Sequence, residues 1–191
     1  YVDPTGRNDI DTSVEPRYFQ QQEWADGPFE EGFWEAACAA TCILNEVSER
    51  YTLETGEQLP DEMGALMMQE AIDKRSIRAS DAYVHSWDGA ATAMWALTEL
   101  EGSWTYSKSP AFLSQHSIFF VYTRSQEESG LTGYNDSGGH FVNSAGFGYF
   151  DTWGGSSGSR PFTPAQTDMI EWASGATYGP AHQRKLSNVR G

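Results

Sequence analysis

The chain has 191 residues, enough for one domain, and carries 27 acidic residues against 12 Lys and Arg, a formal net charge of -15. So acidic a surface repels nucleic-acid phosphates and argues against DNA or RNA as a partner, and no apolar run reaches the roughly 18–20 residues that a membrane span needs. Aromatic residues make up 14% of the chain, which gives a modest hydrophobic content the means to bury a core.

Residues 1–31 read as irregular. Asp3-Pro4-Thr5-Gly6 is a turn signal, Pro16 and Pro28 interrupt any long helix, and no signal peptide is read at the start. From Gly32 to Tyr51, residues Trp34, Cys38, Thr41, Cys42, Leu44, Val47 and Tyr51 recur at threes and fours. That spacing predicts a helix. Ala36, Ala37, Ala39 and Ala40 let other elements come close, so the helix is expected to be central and buried. Pro60, Asp61 and Glu62 open a second helix reaching about Lys74, with Leu66, Met67 and Ala71 on its apolar side. Asp88 is read as the cap of a third helix running to Leu100. Trp104–Tyr106 and Ser117–Thr123 read as strands, and residues 126–139 as a polar loop. A hairpin of 140–145 and 149–153 follows, then a short helix over Thr163–Ser174 and a loose tail after Gly179. Helices first and antiparallel strands after them make an α+β pattern.

The hairpin carries His140 on one arm and Asp151 on the other. A two-residue turn at Gly146-Phe147 sets Asp151 opposite Val142 and on the same face as His140, whereas a three-residue turn separates them. Two readings stand: an imidazole oriented by a carboxylate, or a structural hairpin in which Asp151 begins a turn. Cys38 and Cys42 share a helix face, a poor disulfide geometry, and are read as reduced thiols. With a helix start near Gly32 they lie one and two turns in. A reactive thiol belongs in the first turn, so a core role is the competing reading. Gln20, Gln21 and Gln22 are either oxyanion donors or a plain polar loop. His85, His116, His140 and His182 show no ligand spacing near the cysteines, so neither a metal nor a cofactor is expected.

Tyr1-Val2-Asp3-Pro4-Thr5-Gly6-Arg7 resembles the Y-x-D-P-x-G sequence that closes the core of Rhs/YD-repeat proteins. There a variable C-terminal toxin or effector domain follows. Three further segments resemble papain-like, bacteriocin-leader-peptidase-like domains: Gly32-Phe33-Trp34-Glu35-Ala36-Ala37-Cys38; Asp81–Asp88; and Gly139-His140-Phe141-Val142 with Tyr149-Phe150-Asp151-Thr152-Trp153. The resemblance implies a division into 1–16 (end of the Rhs-like motif and linker), 17–179 (papain-like domain) and 180–191 (tail). It implies a central N-terminal helix packed on an antiparallel sheet, with Cys38, His140 and Asp151 as catalytic residues. Phe33 then stands at the family's nucleophile position, five residues and about 7.5 Å of helix before Cys38. The implied activity is that of a cysteine peptidase, or an amide hydrolase or transferase, on a protein substrate. The producing cell delivers it, it acts in the target-cell cytoplasm, and a cognate immunity protein is its other partner. The alternative is an inactive module that binds a protein partner.

Overall fold

The computed structural model describes residues 14–109, 117–122, 139–145, 148–153 and 170–179. Two 3-10 turns, Gln21–Trp24 and Trp34–Ala36, precede helices α1 (Cys38–Thr55), α2 (Asp61–Asp73) and α3 (Trp87–Ala96). Strands β1 (Ser103–Ser109), β2 (Ser117–Tyr122), β3 (Gly139–Ala145), β4 (Gly148–Asp151) and β5 (Ile170–Gly179) form one antiparallel sheet in the order β1-β5-β2-β3-β4. The α+β class expected from the order of elements is the class observed. Among the described residues no helix is long and apolar enough to cross a membrane.

The helix expected over Gly32–Tyr51 is divided. Gly32 takes a φ of 89°, a conformation that suits glycine, and the chain then tightens into 3-10 bonds, Ala36 N–H to the Phe33 carbonyl and Ala37 N–H to the Trp34 carbonyl. Regular α-helix begins only at Cys38 and runs to Thr55, where Gly56 at φ 71° donates its N–H to the Thr52 carbonyl and ends it. Ala36 is exposed, against the expectation of burial, because it lies in the 3-10 turn; Ala37, Ala40 and Thr41 are buried.

Most of α1 is covered, polar residues included: Asn45, Glu46, Ser48, Glu49 and Arg50 are all buried. Burial of polar groups requires partners, and the segment 17–24 supplies many of them. Ser48 Oγ donates to the Arg17 carbonyl at 2.6 Å, Tyr18 Oη to Glu49 Oε1 at 2.5 Å, and Trp24 Nε1 to Thr41 Oγ1 at 2.9 Å. The same segment begins an aromatic file. Phe19 stacks on Trp24 at 5.9 Å, Trp24 meets Phe29 edge-on at 5.7 Å, and Phe29 stacks on Phe33 at 5.0 Å.

The apolar side of α2 is Met67, Met68 and Ala71, while Leu66, expected on it, is 56% exposed. Gly64 is where this helix meets Phe19. A Cβ built there lies 2.4 Å from Phe19 Cε1, on a ring that is itself fully buried. Gly to Ala inside a helix ordinarily stabilises by about 1 kcal/mol. Here overpacking, at about 1–3 kcal/mol, outweighs it. Gly64→Ala is expected to lower the urea midpoint, and a raised midpoint would refute the contact.

Two further expectations are corrected. Helix α3 is capped by Ser86, whose side chain accepts from Gly89 N–H at 2.9 Å, and it ends at Ala96. Asp88 instead accepts the Tyr106 N–H at 2.7 Å, tying α3 to β1. The helix expected over Thr163–Ser174 is replaced from Ile170 onward by β5, which lies between β1 and β2, so that long-range pairing overrides the local pattern. Residues 163–169, the Asp3–Gly6 turn, residues 123–138 and the tail 180–191 lie outside the described residues.

Candidate active site

Cys38 is the first residue of α1 and partly exposed. A helix N-terminus is where a reactive cysteine is expected, because its backbone N–H groups and the positive end of the dipole face the side chain. The sequence placed Cys38 a turn too deep. It likewise placed Phe33 at the head of the helix, whereas Phe33 precedes the 3-10 turn and is wholly buried against Phe29. Cys42, one turn beyond Cys38, is fully buried. Burial, then the nearness of Cys38, Glu46 and Asp151, pushes its thiol well above the ordinary value. Cys42 is thus a core residue, and the same effects put the Asp151 carboxylate within electrostatic range of the first turns of α1.

Asp151 closes β4, and the hairpin register pairs Val142 with Asp151 and Ala145 with Gly148. The register leaves two positions between the paired ends of the strands, which is the two-residue case. His140 lies two residues before Val142 on β3, so positions 140 and 151 share a sheet face as diagonal neighbours, roughly 7–8 Å apart. Asp151 is buried and its Oδ1 accepts the Trp153 N–H at 3.0 Å, so it also begins the turn that the structural reading assigned to it. Trp153 comes back against Trp34 with ring centroids 5.4 Å apart, joining the stretch before Cys38 to the stretch after Asp151.

The three glutamines have separate fates. Gln20 caps the first 3-10 turn, its N–H donating to Glu23 Oε2 at 2.7 Å. Gln21 is buried, and its Nε2 donates to the Trp34 carbonyl at 2.9 Å while its Oε1 accepts from Thr152 Oγ1 at 2.9 Å. Its amide is engaged within the protein and is not an oxyanion donor in this arrangement. Gln22 Oε1 is buried without a hydrogen-bond partner.

Asn45, Asn143 and Thr152 were not singled out in the sequence. Asn45 Oδ1 accepts the Phe19 N–H at 2.7 Å, and its Nδ2 donates to Asn143 Oδ1 at 3.0 Å and to the Phe19 carbonyl at 3.2 Å. Asn143 Nδ2 donates to the Cys42 carbonyl at 2.8 Å. This buried network locks β3 to the first turns of α1.

Glu46 is buried one turn beyond Cys42. Tyr106 Oη donates to its Oε2 at 3.4 Å, and Oε1 has no hydrogen-bond partner. Burial and then the Glu49 carboxylate push the Glu46 carboxyl well above its ordinary value near 4.5, against smaller opposite effects of Tyr106 and Arg50. With the folded value raised, the folded state binds the extra proton, so this group's contribution is fully present below about 4.5 and is lost as the pH rises through the folded value. Glu46→Gln is expected to remove that loss and to be more stable than the parent at pH 8. Parallel stability–pH curves for parent and variant would refute the assignment.

Among the described residues no group of three or more His, Cys, Asp and Glu is placed to hold a metal ion. No protein-family model, no curated protein and no solved structure matches the chain.

Proposed function

We propose that the chain carries a papain-like, cysteine-dependent acyl-transfer domain, with Cys38 as nucleophile, His140 as general base and acid, and Asp151 as the group that orients the imidazole. The observation that carries this reading is the start of α1 at Cys38, which gives the partly exposed thiol a helix N-terminus. In the proposed reaction His140 takes the Cys38 proton and Sγ attacks the carbonyl carbon of an amide. The leaving amine departs with the proton from His140, and water then hydrolyses the thioester. The alternative is a catalytically inactive papain-like module, with Phe33 in the nucleophile's position, that binds a protein partner; a Cys38 that reacts no faster than a free thiol would favour it. The Rhs-like opening, Tyr1–Arg7, supports a C-terminal effector domain of a polymorphic toxin. It would be delivered into the cytoplasm of a target cell, act there on a protein, and be held in check in the producer by an immunity protein.

A vinyl sulfone or epoxysuccinyl probe followed by peptide mass mapping tests the site. The expected adduct is on Cys38, formed within minutes and suppressed in His140→Ala. Slow, equal labelling that ignores His140 would overturn the reading.

A further inference from the structure

We infer that Gln21 is a positioning residue that sets the Cys38 end of α1 against the Asp151 end of β4; this rests on the acyl-transfer reading. The side chain is 1% exposed and bridges two pieces of chain that flank the proposed catalytic residues. Its Nε2 holds the Trp34 carbonyl at 2.9 Å and reaches the Glu35 carbonyl at 3.5 Å, inside the 3-10 turn that feeds directly into Cys38. Its Oε1 takes the hydroxyl hydrogen of Thr152, the neighbour of Asp151, and its own N–H donates to the Thr152 carbonyl at 2.7 Å. Thr152 is fully buried, so its hydroxyl has no water to fall back on. A bidentate amide of fixed length therefore sets the distance between the two stretches, and the Trp34–Trp153 contact lies across the same gap. Nucleophile, base and orienting group act together only when held to within a fraction of an ångström, and a misplacement of about 1 Å costs on the order of 10²-fold in turnover.

The test uses the full chain with Gln21→Met, which keeps length and volume but neither hydrogen bond. Thr152→Val removes the hydroxyl, and Thr152→Ser restores it. The readout is the pH profile of iodoacetamide alkylation at Cys38, followed by mass mapping. In Gln21→Met and Thr152→Val the rate at pH 6 is expected to fall through most of the roughly tenfold advantage of an activated thiolate over a free thiol. Thr152→Ser keeps the parent profile, and Gln21→Met adds nothing once His140→Ala is present. Should Gln21→Met fail to fold, Thr152→Val reads the same link. A parent-like profile in a folded variant, with His140→Ala still shifting it, overturns the role of Gln21 and leaves the acyl-transfer reading intact. A parent profile that ignores His140 overturns both.

Discussion

Alkylation of Cys38 is expected to run about tenfold faster at pH 6 than that of an ordinary thiol, and to lose that advantage in His140→Ala. Two opposing effects set the figure. A thiol activated by a helix N-terminus and an imidazolium has a larger thiolate fraction at pH 6 than a free thiol. Its intrinsic nucleophilicity falls with basicity, but only by about half a decade for each decade gained in thiolate. The gain in thiolate therefore wins, and a net advantage of about tenfold is what alkylation should show. On the proposed acyl-transfer reading the residues act as a unit, so amide cleavage should respond far more: Cys38→Ala or His140→Ala is expected to lower it by 10³-fold or more. Cys42 serves as the internal control, since its burial raises the thiol well above the ordinary range and should protect it from reagent until the protein unfolds. Faster labelling of Cys42 than of Cys38 in the folded protein would contradict the placement of both.

Asn45→Leu is expected to destabilise the protein by about 3–5 kcal/mol, a large part of the roughly 5–15 kcal/mol that a domain has. Leucine nearly conserves the volume, so the cavity contribution is small. The cost comes from orphaned groups: the Phe19 N–H, the Phe19 carbonyl and Asn143 Oδ1 each lose a partner among fully buried residues. Each buried polar group left unpaired costs about 1–3 kcal/mol. Asn143→Leu frees the Cys42 carbonyl and one donor of Asn45, so it should cost less. The double variant should cost less than the sum of the two, because Asn45 and Asn143 are each other's partners. Urea denaturation measures all three. A loss below about 1 kcal/mol for Asn45→Leu, or strict additivity, would show that the network does not hold β3 to α1.

The local features were legible in the sequence. The succession of helices and then strands follows from hydrophobic period and turn residues, which act over a few positions. The hairpin was legible as far as its turn: a two-residue connection sets Asp151 opposite Val142 and brings position 140 onto the same face, a three-residue one separates them, and the observed register is the first case. The contrast between α1 and its surroundings was legible only in part. The small and aromatic residues from Gly32 to Ala37 are compatible with α-helix, and nothing local distinguishes that helix from the 3-10 turn observed.

Tertiary structure decided where the helix that carries Cys38 begins. Gln21, held to Thr152, grips the Trp34 carbonyl, and Phe33 is drawn into the file of Phe29 and Trp24, so that α-helical bonding starts at Cys38. It likewise made Ile170–Gly179 a strand, because the place between β1 and β2 supplies a hydrogen-bonding partner on each side. The sequence by itself determined the succession of three helices followed by strands as far as Asp151, and the presence of a His, an Asp and thiols in that chain order; the hairpin register and the strand at Ile170–Gly179 were decided by the fold. The position of Cys38 at a helix N-terminus depended on contacts between residues far apart in the chain, such as Gln21 with Thr152, which no local pattern of side chains encodes.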